Sequence, residues 1–261
     1  MPWNPAQYLQ FEGERLRPAL DLLARVRLEN PRTIVDLGCG AGNVTAVLGA
    51  RWPDAQIIGV DSSPDMLREA RAATRNDPRF TFVAADVAQW RPDVPVDLVY
   101  SNAALHWLPD HAALFARVAA MVAKGGVLAV QMPDNFRAPS HTLIADIARS
   151  ERWRARLGGI VREPPVAAAA DYFAWLSPRM TGSDIWLTEY LQVLDARGDG
   201  EHPVAAFTRG TWLVPLLAAL GAEERTEFLQ EYMQRLAHFY PAREDGRTLF
   251  PFRRLFIVAN R

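Results

Sequence analysis

The chain has 261 residues, enough for one α/β domain with an insertion and short for two full domains. Hydrophobic residues at 49% and charged residues at 23% are ordinary for a globular protein, and a net charge of −1 gives no long-range field toward nucleic acid or anionic lipid. A single cysteine, Cys39, excludes an internal disulfide and a multi-cysteine metal site, and points to a reducing compartment.

Near the N-terminus, Glu12, Glu14 and Arg15 interrupt any apolar stretch of signal-peptide type. No apolar run reaches about 18 residues without a charge, proline or polar break. A soluble, cytoplasmic protein with no membrane partner is expected. Leu16, Ala19, Leu20, Leu22, Leu23 and Val26 recur at helical spacing and predict an amphipathic helix over 14–26. The β-branched run 33–37 ends at glycine and reads as a buried parallel strand. A helix over 43–51 ends before Pro53, and 56–60 forms the second strand. Pro64, behind Ser62 and Ser63, starts the next helix. Strands follow at 80–83 and 96–100, then a helix over 111–122 with Asp110 and His111 at its start. Gly125 and Gly126 lead into a fifth strand, 127–131. This alternation predicts right-handed crossovers and a Rossmann-like, doubly wound, mostly parallel seven-stranded sheet.

The rhythm breaks after Met132. Residues 133–182 read as a mostly helical insertion that, with the N-terminal helix, caps the active site, inside one domain spanning 1–261. A strand at 185–193, helices at 203–220 and 222–239, and a last strand at 255–259 complete the chain. The basic-aromatic segment Arg152, Trp153, Arg154, Arg156 is short and flanked by Glu151 and Glu163, so no nucleic-acid partner is expected.

Asp36-Leu37-Gly38-Cys39-Gly40-Ala41-Gly42-Asn43 closes the first strand and opens the first crossover helix. Three glycines let the backbone turn tightly and approach a ligand. An open α/β sheet binds ligands at such a junction. A dinucleotide fingerprint is disfavoured here. The third glycine comes one residue early, Asn43 stands where glycine is wanted, and Asp36 would repel a pyrophosphate. Asp36 suits a cationic ligand instead. Asp61, at the tip of the second strand, can accept both hydroxyls of a ribose. Asp86, after the third strand, can accept an adenine amino group while the Val87 backbone reads the ring edge. Asn102 is a polar group on the same rim, and Cys39 reads as a small buried residue.

These residues resemble the class I S-adenosylmethionine-dependent methyltransferase superfamily. The resemblance implies Asp36, Gly38, Cys39, Gly40 and Asn43 around the methionine part, Asp61 and Ser62 at the ribose, Met66, Asp86 and Val87 at the adenine, and Asn102 beside the cofactor. It implies S-adenosylmethionine as cofactor and S-adenosylhomocysteine as product, with no metal.

Methyl transfer from a sulfonium needs alignment more than activation. An amine or hydroxyl acceptor usually needs a base, whereas a carboxylate is already ionised. After the fourth strand the chain offers His106 and Trp107, and no Asn-Pro-Pro-Tyr motif of the amine methyltransferases. His106 is either a donor to an acceptor carboxylate, the one local base, or a bystander. No other catalytic residue is read.

Further segments resemble the trans-aconitate 2-methyltransferase family nearly end to end. They include Tyr8-Leu9-Gln10-Phe11-Glu12, Val130-Gln131-Met132-Pro133-Asp134-Asn135, Asp171-Tyr172-Phe173, Arg209-Gly210-Thr211 and Asp245-Gly246-Arg247. That resemblance implies esterification of a carboxylate on a small polycarboxylate. A trianion calls for arginine forks. Arg15, Arg209, Arg247, Arg253 and Arg254 are candidates, with Tyr8, Gln131, Asn135 and Tyr172 as neutral hydrogen-bonding groups. A phenol, amine or lipid-precursor acceptor, a non-catalytic S-adenosylmethionine sensor and a nicotinamide oxidoreductase are the alternatives.

Overall fold

The computed structural model describes residues 16–196, 198 and 200–261. Tyr8, Arg15 and the rest of the segment before Leu16 lie outside the described residues. Helix α1 (Arg17–Ala24) is followed by β1 (Thr33–Leu37), α2 (Asn43–Arg51), β2 (Gln56–Asp61), α3 (Pro64–Ala73), β3 (Phe80–Ala84) and β4 (Val96–Asn102). A short 3-10 helix (Leu105–Trp107) leads to α4 (His111–Ala120), β5 (Val122–Pro133), α5 (Pro139–Ala148), α6 (Arg154–Leu157) and α7 (Ala169–Leu176). Then come β6 (Gly182–Leu194), α8 (Pro203–Arg209), α9 (Val214–Ala218), α10 (Ala222–Phe239) and β7 (Thr248–Asn260).

Seven strands form one sheet among the described residues, in the order β3-β2-β1-β4-β5-β7-β6. The pairs β2–β3, β1–β2, β1–β4 and β4–β5 are parallel. Strand β7 runs antiparallel to β5. Gly125 N–H donates to the Arg261 carbonyl and Arg261 N–H to that of Gly126, while Asp134 N–H donates to the Arg253 carbonyl. The strand order reverses between β1 and β4, and an open α/β sheet binds ligands at such a reversal. Parallel register partners share a face, as do residues two apart on a strand. Asp36 pairs with Gly59 and Tyr100, Tyr100 with Ala129, and Asn102 with Gln131. Asp36, Asp61, Asn102 and Gln131 therefore lie on one face at the carboxyl ends of four adjacent strands.

The described residues group into two compact units. The first holds those up to Met132 with 165–188 and 254–261; the second holds 133–164 and 189–253. This corrects the expected insertion boundary of 133–182. Helix α7 belongs with the first unit because Tyr172 packs edge-on against Phe115 of α4, ring centroids 4.6 Å apart, and bonds to His111. The core of the second unit is built by Phe228, Tyr232 and Leu236, one face of α10, against Leu143, Ile144 and Ile147 of α5 and Phe250 and Phe252 of β7.

Three element expectations also change. Strands β5 and β7 begin five and seven residues before the apolar runs that signal them, because Lys124-Gly125-Gly126 and Arg253-Arg254 interrupt those runs. The stretch 203–220 is two helices, broken at 210–213 after Gly210 and restarted with Pro215 in the first turn of α9.

Candidate active site

The loop after β1 is shaped by backbone geometry that only glycine accepts easily. Gly38 has φ +74°, and a Cβ there would stand 2.2 Å from that of Ala104. Gly42 has φ +82°, and its Cβ would meet Ala70 of α3 at 2.9 Å. Gly40 also has positive φ, +53°, yet its Cβ would project into open space. Two glycines are thus required by the protein's own packing. The third leaves bare backbone on the open side of the loop.

Asp61 ties this loop to β2. One carboxylate oxygen accepts from Gly40 N–H and the other from Ser63 N–H, each at 2.9 Å. A carboxylate has about four acceptor sites, so half its capacity remains for a ligand. Gly38 and Cys39 N–H both donate to the Val60 carbonyl. Ser62 is exposed beside Asp61, and the Ser63 hydroxyl caps α3 by accepting from Met66 N–H. Met66 is exposed on the first turn of that helix.

Asp36 is buried and accepts from the Thr45 hydroxyl at 2.6 Å. Burial pushes it up to about 7, against the Thr45 hydrogen bond and helped by the charge of Asp61. Cys39 is buried in a cluster with Leu67, Ala70 and Phe82, and burial drives its thiol far up. Its side chain packs rather than binds, which narrows its expected cofactor contact to the backbone. Asn43 is exposed as the first residue of α2.

Asp86 accepts from Ala88 N–H at 2.8 Å and organises the turn after β3. Arg117 of α4 holds that turn from behind, donating to the carbonyls of Val87 and Trp90 at 3.0 Å each. Sequence reasoning missed Arg117, whose partners lie about one crossover away in the chain. Thr45 was missed too, although its place nine residues after Asp36, one turn into the helix, was a readable signal.

After β4 the backbone is strained: Ala103 has φ +53°, and its N–H donates to the Gln131 carbonyl at 2.9 Å. His106 is buried beside Trp107, ring centroids 4.7 Å apart, and Trp107 is 49% exposed. Burial, then the charge of Arg254, hold the His106 imidazole down at about 3. His111 braces this loop. Its Nε2 faces the Leu105 carbonyl at 3.2 Å and its Nδ1 the Tyr172 hydroxyl at 2.6 Å. Burial keeps His111 lowered and hence neutral, so Nε2 carries the proton and Nδ1 accepts from Tyr172. Asp110 caps α4 as expected, accepting from Ala113 N–H.

Two predicted substrate contacts have other work. Tyr172 is fully buried and its hydroxyl also accepts from Ala167 N–H, so it braces the core. Tyr172→Phe should destabilise the protein by about 1–3 kcal/mol in urea unfolding, because it orphans His111 Nδ1 and a backbone N–H. An unchanged midpoint would contradict that role. In the second unit Asn135 donates to the Ser140 hydroxyl and accepts from Arg253 N–H. There Arg209 pairs with Glu201, Arg247 with Asp245, and Arg253 with Asp134. Of the four arginine candidates among the described residues, Arg254 is the one in the first unit, its Nη1 lying 3.4 Å from Gln131 Oε1.

Residues 34–126 match the family profile of a methyltransferase domain. The chain is 48% identical over 260 residues to the trans-aconitate 2-methyltransferase of Methylobacterium nodulans, a match covering 99% of this chain and 98% of that one. The chain belongs to the trans-aconitate 2-methyltransferase family. Family members of the same name from Azoarcus sp. and Escherichia coli are 46% and 44% identical, each over 259 residues, covering 99% of this chain and 99% and 98% of theirs. Membership sets aside the nicotinamide oxidoreductase alternative and makes the protein an enzyme of the methyltransferase class. The fold agrees with solved methyltransferases. An S-adenosylmethionine dependent methyltransferase from Mesorhizobium loti gives a TM-score of 0.52 at 21% identity, over 95% of this chain and 99% of that one. A Haemonchus contortus phosphoethanolamine N-methyltransferase 2 in complex with S-adenosyl-L-methionine gives 0.54 at 17%, over 97% and 56%. Among the described residues, no helix is long and apolar enough to cross a membrane.

Proposed function

We propose that this enzyme transfers a methyl group from S-adenosylmethionine to a carboxylate of trans-aconitate or a closely similar small polycarboxylate, releasing the monomethyl ester and S-adenosylhomocysteine. The observation that carries this reading is the row of polar side chains along one rim of the sheet, acids at β1 and β2 and neutral amides at β4 and β5, in a chain nearly half identical to its named relatives.

The donor set fits the nucleoside. Asp61 has acceptor capacity left for two ribose hydroxyls, with Ser62 beside it. Asp86 and the Val87 peptide suit the adenine edge, and Met66 covers a ring face. Bare backbone at Gly40, with Asp36 behind the loop and Asn43 and Asn102 at the margins, suits the methionine end. When bound, S-adenosylmethionine supplies a methyl group already activated on a sulfonium. Asp36, a buried acid on that rim, would complement that charge.

The acceptor side supports a carboxylate over a phenol or an amine. A base held at about 3 is a poor match for a proton from a phenol or an ammonium group, so neutral His106 serves as a hydrogen-bonding group. A carboxylate oxygen forms the new O–C bond as the C–S bond breaks and its electron pair goes to sulfur, so no proton moves. Trp107, half exposed beside His106, would wall off water once the acceptor is bound.

The pH dependence follows. Relative to the unfolded chain, folding takes up a proton at Asp36 between pH 3.8 and about 7. That contribution to stability is lost as pH rises through about 7 in the ligand-free protein. A cationic ligand favours the ionised form, so affinity for S-adenosylmethionine rises with pH through about 7 and then levels off. The rate at saturating donor stays flat over roughly pH 6–9, since no essential base titrates there. Rate and binding profiles against trans-aconitate check both statements. A rate inflection near neutrality at saturating donor would favour a phenol or amine acceptor. Labelled donor with a panel of small acids, read by mass and by release of label in mild alkali, tests the product directly.

A further inference from the structure

We propose that Gln131 is the residue that selects an anionic acceptor, its side-chain N–H groups donating to a carboxylate oxygen while Arg254 holds the other end of the amide. This rests on the carboxyl-methylation reading and assigns within it the group that recognises the acid.

Gln131 stands in the apolar run Val127 to Met132 of β5 and is 0% exposed. A polar amide buried there is costly unless its hydrogen bonds are made. Its Oε1 lies 3.4 Å from Arg254 Nη1. That contact fixes which way the amide points, since the flipped rotamer would set N–H groups against a guanidinium. Its Nε2 then points away from the arginine, buried and with no hydrogen-bond partner among the described residues. Beside it in register, Asn102 carries the opposite deficit, a buried Oδ1 acceptor with no partner. The two amides are strand neighbours, and yet they do not satisfy each other. Both therefore face a third body on the rim that carries Asp36 and Asp61.

The electrostatics choose what that body presents to Gln131. The donors of Nε2 require an acceptor atom. The charge of Arg254 reaches this neighbourhood strongly enough to help hold His106 neutral, and the same field favours an anion. A carboxylate oxygen meets both conditions. A neutral N–H donor also orients a carboxylate without cancelling its charge, which leaves the second oxygen nucleophilic.

The test is calorimetric binding of trans-aconitate to the wild-type protein saturated with S-adenosylhomocysteine, beside Gln131→Met and Gln131→Glu. Methionine keeps the length and removes the donors; glutamate keeps the contact with Arg254 and sets a negative charge against the acid. Weakening by roughly 10–100-fold is expected for methionine and more for glutamate. Affinity for S-adenosylhomocysteine should stay within about twofold, and in turnover the loss should fall on KM more than on kcat. If Gln131→Met no longer binds S-adenosylhomocysteine, Gln131→Glu carries the same reading. No binding of the acid to the wild type would overturn the carboxyl-methylation reading and this inference together. Wild-type binding matched by a variant that still holds S-adenosylhomocysteine would overturn this inference alone.

Discussion

Replacing Asp61 by alanine should lower affinity for S-adenosylmethionine by at least about 100-fold while the protein stays folded. Charge-assisted hydrogen bonds contribute about 1.5–3 kcal/mol each, and the carboxylate is assigned two to the ribose. It also holds Gly40 and Ser63 N–H, so its loss releases the glycine loop that the donor must meet. Two such ribose contacts together suggest a change on the order of 3–6 kcal/mol. The loop bonds add to that. Asp61→Asn keeps one acceptor oxygen and sets an N–H₂ against a backbone N–H, so it should fall between the two. Calorimetric titration of both variants checks the ranking, and wild-type affinity in Asp61→Ala would remove the ribose assignment.

The second large effect separates two glycines of the same loop. Gly38→Ala meets Ala104 at 2.2 Å in a left-handed conformation, and either the loop or the strained turn at Ala103 must shift. A loss of about 2–4 kcal/mol of stability is expected, from conformational strain of about 1–2 kcal/mol plus overpacking. Gly40→Ala meets no atom of the described residues and bears only the conformational cost, about 1 kcal/mol. It should nevertheless weaken donor binding at least about tenfold, because its methyl group occupies the side on which the loop is bare. Urea unfolding and donor titration of the two variants should therefore rank in opposite orders relative to their cost. Equal stability losses, or full donor affinity in Gly40→Ala, would mean the loop is not the cradle described.

Legibility in the sequence followed chain distance. The loop 36–43, Asp61 and Asp86 each sit at the end of an apolar run that marks its own strand, so their positions on the rim could be read before the strands were assembled. The sheet order and the shared face of Asp36, Asp61, Asn102 and Gln131 come from the strand pairing and its register, which right-handed crossovers restrict but do not fix. What was not legible depends on partners far along the chain. Arg117 reaches Val87 and His111 reaches Tyr172, 30 and 61 residues away, and nothing local marks an arginine that braces a turn. Tyr172 shows the converse. A tyrosine in a recognisable motif looks the same in sequence whether its hydroxyl meets a ligand or, as here, His111 and Ala167. The insertion boundary failed for a related reason. Helix α7 reads as part of a helical stretch after Met132, but its aromatic face belongs against α4. The arginines were equally opaque one by one, since nothing local in the sequence shows that Arg209, Arg247 and Arg253 pair with Glu201, Asp245 and Asp134.

The most direct measurement is a crystal structure of the protein with S-adenosylhomocysteine bound. Both ribose hydroxyls should lie within hydrogen-bond distance of Asp61, the adenine edge against Asp86 and Val87, and the amino-acid end over Gly38 to Gly40. A nucleoside found away from the carboxyl ends of β1, β2 and β3, or with its ribose turned from Asp61, would contradict this account.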